Sequence, residues 1–170
     1  MSRSSLHPCF RWLERQDLAA VLPVERACFE YAWTETDFLH CLRLRNCVGM
    51  VAEECARVVG FMVYELHRSW IDLLNFAVDP PRRRRGIGGL MAVQLIVRLS
   101  NHGRDRITLA VRETNLGAQL FFRAQGFRAT GVLRGYYEDS GEDAYQMVYR
   151  HLGALPTASG PFPRTTPGEA

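Results

Sequence analysis

The residues with the clearest chemical signature lie between an apolar strand and a long apolar helix. The strand Trp70–Val78 ends at Asp79-Pro80-Pro81, because two prolines cannot continue a strand ladder or a helix. Four arginines, Arg82–Arg85, then precede Gly86-Ile87-Gly88-Gly89 at the helix start. Glycines there let the backbone approach a ligand, and unpaired amides at the positive end of the helix dipole favour an anion. This segment therefore predicts a site for a phosphate or pyrophosphate.

Two common phosphate-binding motifs are excluded at this position. A dinucleotide-binding fingerprint requires a third glycine, where this chain has Met91. A P-loop requires a Gly-Lys-Ser/Thr sequence, which this segment lacks. What remains is the pattern Arg83-x-x-Gly86-x-Gly88 after the strand. The purely structural alternative is a capped helix whose arginines are exposed to solvent and bind no ligand.

The composition is that of one ordinary globular domain. The chain has 170 residues, of which 47% are hydrophobic and 23% charged, and a chain of this length buries roughly 70% of its unfolded surface. The net charge of +3 is too small to indicate a nucleic-acid-binding protein. No apolar run approaches the ~20 residues that span a bilayer, and Met1–Pro8 lacks the apolar core of a signal peptide. We therefore expect a cytoplasmic protein.

The cysteines and histidines indicate no metal site. The five cysteines form no C-x-x-C pair, and we expect them to be reduced and mostly buried, as small apolar residues. They are Cys9, Cys28, Cys41, Cys47 and Cys55. Four of the five histidines, His40, His67, His102 and His151, share no spacing typical of a triad or a metal site.

Hydrophobic periodicity predicts the element order β-α-α-β-β-β-α-β-α-β-β. A strand covers Cys9–Glu14, Asp17 caps a helix over Leu18–Phe29, and Thr34-x-x-Asp37 opens a second helix that ends near Leu44. The later elements are Val48–Glu54, Val58–Leu66, Trp70–Val78, Gly86–Ser100, Ile107–Val111, Leu116–Ala124, Arg128–Tyr137 and Asp143–Leu152. This order predicts an α/β fold with one mixed central sheet of about six to seven strands, flanked by about four helices.

One folded domain is predicted, over residues 9–152. Residues 1–8 form a short N-terminal extension. Gly153–Ala170 is rich in Pro, Gly, Thr and Ser, which predicts a disordered tail.

The pattern Arg83-x-x-Gly86-x-Gly88 resembles the acetyl-CoA-binding signature of the GCN5-related N-acetyltransferase (GNAT) superfamily. The resemblance covers about residues 9–152 and is closest to the RimI-like ribosomal-protein alanine N-acetyltransferases. Its other strings are Tyr31-Ala32-Trp33-Thr34, Asn75-Phe76-Ala77-Val78-Asp79-Pro80, Val111-Arg112-x-x-Asn115, Gly126-Phe127, and Tyr136-Tyr137 followed by Glu142-Asp143-Ala144. It implies the GNAT fold and acetyl-CoA as the acetyl donor.

The resemblance also implies which residues hold the cofactor. Phe76, Ala77 and Val78 would offer backbone groups to the pantetheine arm. Asn115 would hydrogen-bond the cofactor further along, and Phe122 would form an aromatic wall beside the thioester. The pyrophosphate would be held by the segment made of Arg83, Arg84, Arg85, Gly86, Ile87, Gly88 and Gly89.

The catalytic pair of the RimI-like enzymes is absent. This chain has Ala110 in place of their general-base glutamate and Phe122 in place of their general-acid tyrosine. A peptide α-amine with a pKa of about 7.7–8.0 is on the order of one fifth neutral near pH 7.4, whereas a lysine amine is neutral in about one part per thousand. A thiolate of pKa about 8.5 can also depart without a proton donor. Losing the pair is therefore least costly for an N-terminal acceptor.

Other residues are candidates for the missing roles. Asp72 lies where other branches of the superfamily keep a base glutamate, and we hypothesise that it deprotonates the amine; a solvated strand residue is the alternative. Tyr136 and Tyr137 correspond to tyrosines of the peptide groove, and either hydroxyl could replace the missing acid, or one could only pack on the sheet edge. Tyr31 and Trp33 either cover the substrate cleft or only seal the core.

We therefore predict an acetyl-CoA-dependent N-acetyltransferase whose acceptor is a protein or peptide N-terminal α-amine, such as that of a ribosomal protein. Lysine or a small-molecule amine is the alternative acceptor. Ala110 and Phe122 also suit a non-catalytic acyl-CoA-binding or regulatory module. A ribosome- or RNA-binding protein that uses the arginines is a third reading, although we expect no metal, membrane or direct nucleic-acid partner.

Overall fold

The computed structural model describes residues 8–100 and 103–151, apart from the side chain of Ser100. The predicted N-terminal extension, except Pro8, lies outside these residues. So do the predicted tail Gly153–Ala170 and the last residue of the predicted final strand.

The described residues form one seven-stranded sheet and four α-helices. The strands are β1 Cys9–Trp12, β2 Cys47–Glu54, β3 Arg57–Leu66, β4 Trp70–Val78, β5 Arg106–Arg112, β6 Arg128–Tyr137 and β7 Glu142–Arg150. The helices are α1 Leu18–Cys28, α2 Glu35–Arg43, α3 Ile87–Ser100 and α4 Leu116–Ala124. The strand order is β1-β2-β3-β4-β5-β7-β6, and only β4 and β5 are parallel. The predicted mixed α/β fold is confirmed.

The helices cover both faces of the sheet. On one face, the buried side of α3 packs with β3, β4 and β5, and α4 adds Phe122 to the same core. On the other face, α1 and α2 pack against β2 and β3 through residues such as Val21, Phe38 and Phe61. A parallel strand pair needs a crossover connection, which α3 supplies between β4 and β5. No helix in the described part of the chain is long and apolar enough to cross a membrane.

The two predicted helix caps have different outcomes. Thr34 and Asp37 form the predicted capping box: the Thr34 hydroxyl accepts from Asp37 N at 3.3 Å, and Asp37 Oδ2 accepts from Thr34 N at 2.7 Å. Asp17 does not cap α1 with its side chain, so that prediction is wrong. Its carboxylate instead accepts from Glu14 N and from Arg11, each at 2.8 Å. The 3₁₀ turn Arg15–Asp17 ahead of α1 is closed by the main-chain bond from Asp17 N to Glu14 O at 2.9 Å, and the Asp17 carboxylate belongs to the capping box of that turn.

The cysteines are free, but the prediction that most of them are buried is wrong. Only Cys47 is buried; Cys28 and Cys41 are half-buried, and Cys9 and Cys55 are exposed. Cys9 opens the edge strand β1, and Cys55 lies in the β2–β3 turn with a φ of 49°. One exposed thiol therefore lies on an edge strand and the other in a turn, and periodicity reveals neither position.

Candidate active site

The two parallel strands separate half-way along the sheet. β4 pairs with β5 from Trp70 to Leu73, which lies opposite Leu109. Beyond that point β4 continues to Val78 and β5 to Arg112 without pairing with each other. Diverging strands leave a gap with a strand edge on each side, and alternate residues of each edge have main-chain groups without a strand partner.

The β4 side of this gap presents the main-chain groups of Phe76 and Val78. Asp79 N donates to Val59 O of β3 at 2.9 Å, which fixes the hydrogen-bonding phase of β4. Because the phase alternates along a strand, the groups of Ala77 face β3 and those of Phe76 and Val78 face the gap. Ala77 itself is buried against the α1 side of the sheet.

Unpaired amides line the turn between β4 and α3. Arg84 and Gly86 have φ values of 63° and 82°, and the first helical hydrogen bond runs from Leu90 N to Gly86 O at 3.0 Å. Within the described ranges, none of the amides of Arg84–Gly89 donates to a main-chain carbonyl. A run of free amides at the positive end of a helix dipole suits an anion, so this turn fits a diphosphate.

Two of the four arginines hold the turn in place. Arg82 pairs with Glu54, with 3.1 Å between Nη1 and Oε2. Arg83 donates from Nε to Val78 O at 3.1 Å and from Nη2 to Cys28 Sγ at 3.2 Å. These bonds tie the turn to β2, to the end of β4 and to α1.

The other two arginines are available to a ligand. Arg84 and Arg85 are exposed, and neither side chain makes a hydrogen bond or an ion pair within the described residues. They flank the free amides and add positive charge where the helix dipole is also positive.

Gly88 allows the start of α3 to lie against α4. A Cβ there would be 3.1 Å from Cε2 of Phe121 and 3.6 Å from Cγ2 of Val78. At Gly89 the nearest atom would be Oε1 of Gln125 at 3.9 Å, which is an ordinary contact. Gly88 is therefore needed for packing beside the turn, whereas Gly89 is not.

Asn115 and Phe122 also have structural roles. Asn115 Oδ1 accepts from Ala118 N at 3.1 Å and caps α4. Phe122 is buried, with its ring centroid 5.5 Å from that of Phe76 and 5.1 Å from that of Phe121. It packs directly under the β4 edge of the gap.

A bulge in β4 decides which side chains face α1. Val63 pairs with Asn75 and Tyr64 pairs with Leu73, so Leu74 is an extra residue on β4. Leu73 packs in the core on the α3 side and Leu74 in the core on the α1 side, as ordinary strand alternation requires. Asn75 follows Leu74 onto the α1 side.

Asp72 lies on the α1 side, one residue before the strands diverge. Its Oδ1 accepts from the hydroxyl of Thr108 on β5 at 2.8 Å. The pKa of Asp72 is raised, chiefly by burial and to a smaller extent by the charge of Glu65. The hydrogen bond from Thr108 and the charge of His67 act in the opposite direction. Burial and, after it, the Asp72 charge raise the pKa of Tyr136. In the described residues no group of three or more His, Cys, Asp or Glu could hold a metal ion.

Tyr137 places its hydroxyl at the β5 edge of the gap. Its OH donates to Ala110 O at 3.2 Å. His151 N donates to Asp105 O at 3.0 Å, so by alternation the even-numbered residues of β5, including Ala110, direct their main-chain groups into the gap. Burial raises the pKa of Tyr137, and its ring lies 5.0 Å from that of Tyr136.

The two aromatic residues of the α1–α2 loop have separate positions. The Tyr31 ring is exposed and lies 4.9 Å from Arg112 Cζ at the end of β5. Trp33 packs edge-to-face on Phe38 at 5.3 Å and so seals the core. The structure therefore brings Tyr31 to the end of β5, near Tyr137, and places Trp33 in the core beneath the loop.

Sequence reasoning missed Glu25, a carboxylate with 1% exposure. Its Oε1 accepts from Trp33 N at 2.7 Å and its Oε2 accepts from Asn75 Nδ2 at 3.1 Å. Burial raises the pKa of this carboxyl, against the two hydrogen bonds that lower it. A signal was present, because Glu25 follows the buried Val21 by four residues and so lies on the apolar face of α1.

A model of the acetyltransferase (GNAT) family matches residues 10–127. The chain belongs to the GNAT family. This GNAT chain is 28% identical over 138 residues to the ribosomal protein bS18 alanine N-acetyltransferase of Escherichia coli K12, with 80% of this chain and 93% of that protein covered. The predicted RimI-like resemblance and the predicted enzyme class, an N-acetyltransferase, are confirmed.

Solved structures share the GNAT fold of the chain. The crystal structure of the ribosomal-protein-S18-alanine N-acetyltransferase from Escherichia coli has a TM-score of 0.78 and 25% identity, covering 90% of this chain and 99% of that one. Arabidopsis thaliana Naa50 in complex with the bisubstrate analogue CoA-Ac-MVNAL has a TM-score of 0.74 at 17% identity, covering 85% and 99%. At that identity the second likeness concerns the fold alone.

Proposed function

We propose that this GNAT acetyltransferase transfers the acetyl group of acetyl-CoA to the α-amine of a protein N-terminus. The observation that carries the proposal is the run of free amides at Arg84–Gly89 beside the gap between β4 and β5. The acceptor class is supported by the relatives named for modifying an N-terminal alanine of a ribosomal protein. Lysine or a small-molecule amine is the second candidate acceptor.

The chain's own groups suit the parts of acetyl-CoA, which supplies the acetyl group as an activated thioester. The amides of Arg84–Gly89 would bind the diphosphate, and the exposed side chains of Arg84 and Arg85 would add charge to it. The gap-facing main-chain groups of Phe76 and the amide of Val78 would bind the pantetheine arm, since the Val78 carbonyl already accepts from Arg83. Phe122 supports that edge from below.

Asp72 is the proposed general base for the acceptor amine. It faces the α1 side at the point where the strands part, and burial raises its pKa toward that of an amine it must deprotonate. An α-amine has a pKa of about 7.7–8.0 and needs only modest help near neutral pH. Asp72 therefore accepts the amine proton directly or through one water.

Tyr137 is the proposed proton donor for the departing sulfur. Its hydroxyl is already at the edge of the gap, on Ala110 O. The phenol is protonated over the physiological range, so its proton is present at the hydroxyl oxygen, although the raised pKa makes it a weaker acid. A thiol has a pKa of about 8.5, so this donor assists departure without being indispensable.

Thiol release tests the proposal. The protein is mixed with acetyl-CoA and one of two peptides of the same sequence: one with a free N-terminal alanine and no lysine, the other N-terminally blocked with one internal lysine. We expect release with the first peptide only. Release with the second alone would assign the acceptor to lysine. Acetyl-CoA binding with no release over a broad amine panel would instead make the chain a non-catalytic acyl-CoA-binding module.

A further inference from the structure

Arg112, the last residue of β5, contacts two aromatic rings from different segments. Its Cζ lies 3.7 Å from the ring centroid of Tyr137 on β6 and 4.9 Å from that of Tyr31 in the α1–α2 loop. A guanidinium within about 6 Å of a ring face is attracted by the ring's quadrupole, and more strongly where water is excluded. The side chain of Arg112 is 21% exposed, so its contact with Tyr137 is largely shielded, whereas the Tyr31 ring stays partly in solvent.

The same guanidinium is tied to the turn between β6 and β7. Nη2 pairs with Asp139 Oδ2 at 2.6 Å, and Nη1 pairs with Glu142 Oε2 at 3.2 Å and donates to Ser140 Oγ at 2.9 Å. These bonds fix the plane of the guanidinium, which keeps its position against both rings. A lysine could supply the charge but has neither the fork nor the flat face.

Arg112 links Tyr31, in the α1–α2 loop, to the β6–β7 hairpin on the other side of the site. The loop is held on its other side by Trp33, whose amide donates to Glu25 at 2.7 Å. Tyr31 is 44% exposed and makes no hydrogen bond with any described residue. Its contact with Arg112 therefore spans from the α1–α2 loop to the β6–β7 hairpin.

We propose that Arg112 is a positioning residue that holds the α1–α2 loop and the β6–β7 hairpin together across the acceptor side of the gap. By stacking on Tyr137 it also holds that hydroxyl on the Ala110 carbonyl. The inference rests on the proposed function, because it names the residue that shapes the acceptor site of the same enzyme. The diphosphate site, built from the turn after β4, does not depend on it.

The first experiment compares Arg112→Ala and Arg112→Lys with Arg134→Ala. Arg134 is a matched control: it lies on the same hairpin and pairs with Asp143, but its side chain is 83% exposed and it contacts no ring in the described part of the chain. For both Arg112 variants we expect KM for the N-terminal peptide to rise about tenfold and kcat to fall, with acetyl-CoA Kd within about twofold of wild type. Arg134→Ala should match wild type. Wild-type peptide KM in Arg112→Lys would overturn the proposal, because charge alone would then suffice.

A double-mutant cycle tests the bridge itself. If Arg112 acts on the loop through Tyr31, then Tyr31→Ala and Arg112→Ala remove the same contact, and the double variant should raise peptide KM by less than the product of the single effects. Effects that multiply fully would show that the two residues act independently and would overturn the bridge.

Amide hydrogen exchange separates this inference from the proposed function, because it needs no turnover. In Arg112→Ala we expect faster exchange in the α1–α2 loop around Tyr31, with the amides of Arg84–Gly89 unchanged and Arg134→Ala like wild type. Unchanged exchange in the loop would overturn the positioning role even in an active enzyme. Faster exchange in a chain that acetylates no amine would leave the positioning role standing and reject the proposed function.

Discussion

The hydroxyl of Tyr137 donates a 3.2 Å hydrogen bond to the carbonyl oxygen of Ala110. Ala110 stands where the RimI-like resemblance implies a general-base glutamate, so β5 itself brings no proton-handling side chain to that point. A tyrosine from β6 reaches the same strand edge from across β7, the strand between them in the sheet. The Tyr137 hydroxyl therefore brings a proton-bearing group to the gap, although residue 110 is an alanine.

Removal of this hydroxyl should slow the chemical step without weakening cofactor binding. For Tyr137→Phe we expect kcat to fall about tenfold, below the usual 10²–10⁴ of a positioned acid because a thiolate can leave unaided. Acetyl-CoA Kd, measured by calorimetry, should stay at the wild-type value. Tyr149→Phe is the control, since Tyr149 lies on β7 with its ring packed on Phe127 at 5.6 Å. An unchanged kcat in Tyr137→Phe would remove the hydroxyl from the mechanism.

Asp72 should set the acidic limb of the pH–rate profile. A base works only when ionised, and burial raises the pKa of this carboxyl above its ordinary value of 3.8, so kcat should rise as the pH passes the raised value. Asp72→Asn should abolish that limb and lower kcat about 10²-fold. The acceptor amine, titrating at about 7.7–8.0, should still appear in kcat/KM.

Thr108→Val tests whether the acidic limb belongs to Asp72, because the substitution should move that limb in a known direction. The Thr108 hydroxyl donates to Asp72 and favours the ionised form, so its removal should raise the Asp72 pKa further. The acidic limb of kcat should then move to higher pH. A limb that stays in place in Thr108→Val, or that survives in Asp72→Asn, belongs to another group.

Local patterns predicted the frame of this site but not its cross-strand contacts. The strand, the two prolines and the glycines predicted the turn between β4 and α3, because each residue acts on the backbone next to it. The bulge at Leu74 has no such local signal, although it alone turns Asn75 toward α1. Tyr137 and Ala110 are 27 residues apart, and only the sheet order brings them together.

Side-chain partners explain the remaining differences. Asp17 has the residue type of a helix cap, but Arg11 and Glu14 take its carboxylate. Four consecutive arginines look equivalent in the sequence, yet Arg82 and Arg83 are engaged by Glu54 and by the Val78 carbonyl. Both outcomes depend on which charged or polar atoms the fold places within reach.

The division among the arginines predicts two kinds of variant. Arg84→Ala and Arg85→Ala should each weaken acetyl-CoA binding a few-fold, and the loss should shrink at high salt because the attraction of an exposed charge is screened. Arg82→Ala should instead lower the free energy of unfolding by about 1–3 kcal/mol, because it leaves the buried Glu54 carboxylate unpaired. Calorimetric titration at two salt concentrations and urea unfolding measure the two effects. Equal losses of affinity in all three variants would contradict the division.

The buried pair of Glu25 and Asn75 gives a stability prediction with a definite sign. Burial raises the folded-state pKa of Glu25 above its ordinary value of 4.5, so the folded protein binds this proton more tightly than the unfolded chain. Stability from this group is therefore fully present below pH 4.5 and is lost as the pH rises through the raised value. Glutamine cannot ionise, and after a 180° turn of the Asn75 amide its Nε2 could donate to Asn75 Oδ1, a buried atom that has no partner among the described residues.

Glu25→Gln should thus increase the free energy of unfolding at pH 7, by on the order of 1 kcal/mol, and flatten its pH dependence. Near pH 4 the carboxyl is largely protonated in both states, so the gain should be smaller there. Urea unfolding at several pH values measures both quantities, with Glu30→Gln as an exposed control next to the same helix. A gain of equal size at pH 4 and pH 7 would show that hydrogen bonding, and not the charge of Glu25, is responsible.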